Sequence, residues 1–190
     1  MIDVGTGDGR AVLSAAARER QALVIGLDPV AAAMAEASRR AAGSARNGGL
    51  PNALFVVAAA ESIPGVLHGA AGLVTVRFPW ASLLRGCLGA DGAVAWGVAT
   101  LVAPGGGLEL LLAPARLDRL EGLPSQPWAV IAAARATFEE LGLACDEARE
   151  ATPEDVRSSG STWAKRLLGR NGASAAAADR QPVLVRFRSR

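Results

Sequence analysis

Asp3-Val4-Gly5-Thr6-Gly7-Asp8-Gly9-Arg10 is the stretch whose reading decides the fold. Met1–Val4 is a short apolar run that ends in this glycine-rich turn, and Arg10–Arg20 then places Val12, Leu13, Ala16 and Ala17 at helical spacing. The unit is a strand, a turn and a helix. Ala22–Leu27 is a second apolar run, closed by Asp28-Pro29, and the Ala-rich Val30–Ala42 keeps Glu36, Arg39 and Arg40 for a solvated face. Glycines let the chain turn tightly and approach a ligand with no Cβ in the way, while a carboxylate ending the second strand can accept both hydroxyls of a ribose. A glycine-rich turn alone can be purely structural; with Asp28 at this spacing it suits a nucleoside cofactor.

The charges narrow the choice of cofactor. A dinucleotide site has the spacing GxGxxG and seats a pyrophosphate on the helix N-terminus. Here Gly5, Gly7 and Gly9 alternate, and Asp3 and Asp8 bring negative charge. Those carboxylates repel a pyrophosphate and attract a sulfonium and an α-ammonium group, the positive features of S-adenosylmethionine. Asp3, Gly5, Gly7, Asp8, Asp28 and Pro29 are therefore the cofactor-binding candidates of this half. Ala58-Ala59-Ala60-Glu61 occupies the expected place of a small-residue shelf under an adenine ring, with Glu61 near its amino group. Taken alone, a Glu there is more often a solvated loop residue.

Outward from this stretch, Leu54–Ala58, Gly72–Val76 and Leu108–Leu112 are further runs of strand length, and Ser82–Leu88, Ala93–Val102 and Trp128–Leu141 read as helices. Pro104-Gly105-Gly106-Gly107 reads as a sharp turn from helix back to strand. Thr152-Pro153-Glu154-Asp155 has a capping residue, Pro at the first helical position and acids in the first turn, so a helix starts there, expected to carry Trp163 to Arg166. Asn171–Asp179 reads as a small-residue loop and Pro182–Arg188 as a last strand, antiparallel at or near the sheet edge. The alternation predicts an α/β, Rossmann-like fold with a mostly parallel sheet, an antiparallel last strand and helices on both faces. The 190 residues suit one domain, 1–190, with no internal repeat.

Composition excludes other classes. Apolar stretches break before the roughly 18 residues a membrane span needs, and Met1–Val4 is no signal peptide, which points to the cytoplasm. Cys87 and Cys145 lack metal-site spacing and read as buried apolar fillers, so no metal is expected; His68, the single His, reads as incidental. Residues 1–150 carry 12 basic and 15 acidic groups, residues 151–190 carry 8 basic and 3 acidic. The cationic surplus is C-terminal, and Trp163 lies inside it beside Lys165 and Arg166. Phe78-Pro79-Trp80 follows the fourth strand, where this architecture presents substrate-facing residues. Trp96 and Trp128 are assigned to the core. Trp80 and Trp163 form a candidate sandwich for an extruded base, since aromatics beside an Arg-rich segment are a nucleic-acid signature.

The stretches IDVGTGDGR (Ile2–Arg10), GLDPV (Gly26–Val30), NGGLPN (Asn47–Asn52), AAAESIP (Ala58–Pro64), FPWASLLRG (Phe78–Gly86) and STWAKRL (Ser161–Leu167) together resemble the kanamycin-apramycin resistance methyltransferases. That family modifies N1 of an adenine in the decoding site of 16S ribosomal RNA. The resemblance implies an S-adenosylmethionine-dependent enzyme, with Asp3, Gly5, Asp28, Ala60 and Glu61 on the cofactor and Ser82 and Ser161 assisting. It implies that Trp80 and Trp163 stack on the flipped adenine, supported by Phe78 and Pro79. Arg166, Arg170 and Lys165 would hold phosphates near that nucleotide, and Arg39, Arg40 and Arg46 would dock on the rRNA surface. The partner implied is the 30S subunit, met by a monomer, with no DNA and no membrane.

Two features depart from the family pattern. Its members carry an N-terminal extension before the glycine loop, whereas here the first strand keeps about three residues against the 5–6 that are typical. The family places a basic residue before GLP, where this chain has Glu121, with Arg116 or Arg119 as the candidates to compensate. Two other functions stay open on the residues alone: a small-molecule methyltransferase with the same cofactor half, and a non-catalytic RNA-binding relative.

Overall fold

The computed structural model describes residues 1–114, 122–168 and 180–190. Arg116, Arg119, Glu121, Arg170 and the Asn171–Asp179 stretch lie outside the described residues. Strands β1 (Ile2–Val4), β2 (Val24–Asp28), β3 (Ala53–Val57), β4 (Ala71–Arg77) and β5 (Val102–Leu112) run parallel. β7 (Val183–Ser189) is antiparallel to both β5 and β6 (Leu143–Glu150), giving one sheet in the order β3-β2-β1-β4-β5-β7-β6.

Helices cover both faces, as the apolar runs require of a parallel sheet. On one face α1 (Arg10–Arg18) and α2 (Ala31–Ala41) pack Val12, Leu13 and Ala37 onto Val24 and Ala53. On the other, α3 (Ala81–Cys87), α4 (Gly92–Thr100) and α5 (Pro127–Glu140) pack Leu84, Val98 and Phe138 against Ile2, Leu27, Val74 and Phe187. A third cluster, Phe78, Leu111, Ala113, Val156, Ala164 and Leu184, seats α6 (Pro153–Ser158) and α7 (Thr162–Leu167). Among the described residues no helix is long and apolar enough to cross a membrane, and no acid, His and Cys cluster could hold a metal.

Several expectations change. The edge strand on this side is β6, which the sequence reading left out; β7 pairs beside it, antiparallel and near the edge as expected. β6 is hard to read because its outward residues are charged. Glu147 and Arg186 pair at 2.7 Å and Asp146 and Arg188 at 3.0 Å, so strand pairing is supported by ion pairs rather than an apolar run. Pro104–Gly106 is not a turn before the strand: β5 begins at Val102, and the register jumps from Ala71↔Val102 to Leu73↔Gly107, so the stretch bulges out of the ladder. The helix capped by Thr152 stops at Ser158, and Trp163 rides on the separate α7. Trp96 and Trp128 are 55% and 74% exposed, so neither is core; Trp96 meets His68 edge-on at 5.8 Å. Cys87 is buried, its thiol pushed up to about 12 by burial, whereas Cys145 is only partly covered.

One close approach ties the fold to its functional end. A Cβ on Gly97 of α4 would lie 1.7 Å from the carbonyl oxygen of Ala60, so α4 packs directly on the turn at Ala60–Ser62. Gly97→Ala should force the two apart at a cost of about 1–3 kcal/mol, lowering the melting temperature by several degrees. Thermal unfolding with and without S-adenosylmethionine checks this; an unchanged melting temperature would mean that the turn yields freely.

Candidate active site

The glycine loop sets the floor. Gly5, Gly7 and Gly9 have φ of 72°, 55° and 70°, a region that residues with a Cβ avoid. Two of the three are also closed by neighbours. A Cβ on Gly5 would meet Leu83 Cδ2 at 2.5 Å, and one on Gly9 would meet Phe55 Cε1 at 2.5 Å and Ala37 at 2.7 Å. Gly7 faces open space. Its N–H donates to Asp28 Oδ2 at 2.9 Å, and the Val30 N–H donates to Oδ1 at 2.9 Å, so both oxygens of Asp28 are oriented and each keeps a lone pair for a ligand. Pro29 beside it is exposed.

Asp3 is 3% exposed, and Thr75 Oγ1 and Arg77 Nη1 both donate to its Oδ1, at 2.6 and 3.0 Å. Its charge is thus neutralised by a cation from β4, which the sequence reading missed inside the run GLVTVR. Thr6 Oγ1 and Arg77 Nε are buried without a hydrogen-bond partner among the described residues. Ala60 is buried and Glu61 exposed on the turn beneath α4, and Ser82 is exposed in the first turn of α3, next to the Leu83 that covers Gly5.

The substrate half stands at the carboxyl end of the same sheet. Phe78 and Ala81 hold φ of 49° and 47°, positions that strain a residue with a Cβ by about 1–3 kcal/mol each. Phe78 and Pro79 are buried, whereas Trp80, between the two positions of positive φ, is 44% exposed. Trp163 packs partly on the third cluster and meets Trp80 at 5.2 Å between ring centroids, the planes tilted by 44°. Arg180, which the sequence reading passed over, places its guanidinium carbon 4.9 Å from both ring centroids and donates to the Ala113 carbonyl. A planar base between two rings needs about 7 Å, twice the ~3.5 Å contact separation. In this arrangement the rings must part and Arg180 must shift to admit one.

Ser161 caps α7, its hydroxyl accepting from the Trp163 N–H at 3.2 Å. Thr162 then donates to Asp8 Oδ2 at 2.6 Å, joining the helix that carries Trp163 to the glycine loop across 154 residues of sequence. Asp8 also accepts from the Arg10 N–H and lies 3.5 Å from its guanidinium. Lys165 is exposed on α7, and Arg166 lies on the same helix. Arg39 and Arg40 are exposed in the last turn of α2, with Arg46 exposed just beyond.

The chain is similar to proteins of known activity. The family model for NpmA, the 16S rRNA (adenine(1408)-N(1))-methyltransferase, matches residues 1–181. The 16S rRNA (adenine(1408)-N(1))-methyltransferase of Escherichia coli is 32% identical over 174 residues, which is 87% of this chain and 79% of the relative. Among solved structures, a tryptophan-to-alanine variant of the 16S rRNA (adenine(1408)-N(1))-methyltransferase from Catenulisporales acidiphilia, with cosubstrate SAM, superposes with a TM-score of 0.83 at 31% identity, covering 99% of this chain and 84% of that one. The antibiotic-resistance methyltransferase Kmr superposes at 0.75 and 31% identity, covering 100% of this chain and 86% of its own.

Asp28→Ala should weaken S-adenosylmethionine binding by about 10- to 150-fold, the loss of roughly 1.5–3 kcal/mol from a charged acceptor, as read by calorimetry. Thr162→Val removes only the link to Asp8. It should lower turnover on ribosomal RNA by about 2- to 10-fold, as expected for roughly 0.5–1.5 kcal/mol, while cofactor affinity stays within twofold and Thr162→Ser recovers the loss. Equal turnover for the valine variant would show that the link positions nothing.

Proposed function

The chain belongs to the 16S rRNA (adenine(1408)-N(1))-methyltransferase family, and from that premise we propose that it moves a methyl group from S-adenosylmethionine to N1 of a flipped adenine in the decoding site of 16S ribosomal RNA, conferring aminoglycoside resistance. One observation supports this reading above the others. Trp80 and Trp163, 71 and 154 residues beyond Gly9 in sequence, meet ring to ring at 5.2 Å, and a hydrogen bond from Thr162 to Asp8 holds the second ring's helix to the glycine loop. The basic C-terminal segment that carries Trp163 argues against a small-molecule substrate. On this reading the substrate is met in the 30S subunit, by a monomer, in the cytoplasm.

The residues fit the cofactor. Gly7 leaves the space a side chain would fill, Asp28 offers oriented acceptors for a ribose, and the Ala60 turn, pressed against α4, offers a small-residue shelf with Glu61 beside it. Asp3, Gly5, Asp8, Pro29, Ser82 and Ser161 complete the proposed set. When bound, S-adenosylmethionine supplies an electrophilic methyl group on a sulfonium. N1 of adenine carries a lone pair, so no general base is required, and the chain's task is extrusion and alignment. Trp80 and Trp163 hold the base on its two faces, and their π clouds favour the positive charge that develops on the ring. Phe78 and Pro79, buried behind Trp80, fix that wall. Lys165 and Arg166 hold phosphates around the extruded nucleotide, as does Arg170, which lies outside the described residues; Arg39, Arg40 and Arg46 dock on the rRNA surface.

The test is to map methylated positions on 30S subunits incubated with the protein and S-adenosylmethionine. Methylation confined to one decoding-site adenine at N1 is expected; methylation of isolated metabolites but not of 30S subunits would overturn the reading. Trp80→Ala should lower 30S methylation by about 5- to 150-fold, matching roughly 1–3 kcal/mol of stacking, with little change in melting temperature because that ring is half exposed. Trp80→Phe should keep part of the activity. Trp163→Ala should lose as much activity and also some stability, since Trp163 rests on the third cluster.

A further inference from the structure

A groove of about 850 Å³ runs along α1, from α7 at one end to the Gly48–Asn52 loop before β3 at the other. Four cations line it from four places in the chain: Arg10 at the start of α1, Arg20 just beyond its end, Arg40 on α2 and Lys165 on α7. All four are exposed. Two acids face them. Asp8 is already engaged by Thr162 and Arg10, so Glu36 is the acid whose charge stands against the cations. Arg10 and Arg20 thus stand at opposite ends of α1, whose nine residues rise by about 13 Å at about 1.5 Å each.

We propose that this groove is a track for the RNA backbone, with Arg10 and Arg20 as phosphate contacts that bridge the Trp80–Trp163 clamp and the Arg39, Arg40 and Arg46 surface. The inference rests on the methyltransferase reading above and deepens it. A flipped nucleotide stays joined to its strand on both sides, so the backbone has to cross the surface next to the clamp. Lys165, two residues after Trp163 on α7, lines the end of the groove that α7 forms. From there the cations continue along α1 to Arg40. A groove floored by small and apolar side chains and rimmed by long cationic ones suits a phosphate chain, which takes point charges along its length without base-specific contacts.

The test measures binding to 30S subunits as a function of salt for the full chain, with calorimetric S-adenosylmethionine affinity as the control for folding. Arg10→Gln and Arg20→Gln should each make the dependence of log K on log salt shallower by about 0.7–0.9, the value for one phosphate contact. Glu36→Gln should tighten 30S binding by roughly threefold at low salt and less at high salt, because it removes a repulsive charge that salt screens. A damaged fold cannot produce that gain. Wild-type slopes for both arginine variants together with no gain from Glu36→Gln would overturn the groove assignment and leave the enzyme reading intact, provided that the wild-type chain methylates 30S subunits. Failure of the wild-type chain to bind or methylate 30S subunits would overturn both.

Discussion

Three glycines with positive φ within five residues constrain nearly everything at the functional end of the sheet. Gly5 can take that conformation only with no Cβ, and the room so left is filled by Leu83, which draws the first turn of α3 over the loop. Gly9 admits Phe55 of β3 and Ala37 of α2. Gly7 turns its N–H onto Asp28 at the end of β2. One loop of five residues therefore sets the positions of a helix on each face and of the neighbouring strands, and its remaining open side is the side a ligand would meet.

The second constraint is electrostatic. Asp3 lies in β1, buried, and its charge is tolerable there because Arg77 and Thr75 reach it from β4. Removing one member of such a pair typically costs about 3–5 kcal/mol, since the survivor is left charged and buried. The pair joins β1 to the strand that leads directly into Phe78-Pro79-Trp80. The same stretch stores backbone strain at Phe78 and Ala81, and such strain persists only where the surroundings enforce it. Here the Phe78 N–H donates to the Leu111 carbonyl at 2.7 Å, and the Phe78 ring is buried in the third cluster.

Cofactor half and substrate half meet at α7. Gly160, with φ of 67°, sits against Ala11 and Ser14 of α1, and two residues later Thr162 reaches Asp8. The short helix is thereby held to the start of α1 while its apolar side rests on Val156, Leu184 and Leu111. α6 is anchored beside it by a capping box in which the Thr152 hydroxyl and the Asp155 carboxylate serve each other's backbone N–H. Arg149 of β6 adds two hydrogen bonds to Asp155 and, with the Thr152 contacts, holds its carboxyl well below the ordinary range. β6, absent from the sequence reading, is thus one of the supports of the helices that carry the second tryptophan.

Local chemistry was legible in the sequence. The alternating glycines, the acid after the second apolar run, the Thr-Pro-Glu-Asp helix start and the parallel strands up to β5 are written in near neighbours, because turns, caps and buried strands depend on residue types a few positions apart. The motifs quoted from Ile2–Arg10 to Ser161–Leu167 carried the family likewise. Only tertiary structure decided what depends on distant partners. Trp96 and Trp128 look like core by residue type and are exposed, since burial is set by which neighbours arrive. β6 has charges where an apolar alternation would have announced it, and these charges make sense only once Arg186 and Arg188 lie opposite. The meeting of Trp80 with Trp163 under Arg180, and of Thr162 with Asp8, joins residues far apart along the chain, so composition and spacing could propose the partners but only the packed sheet could bring them within contact distance.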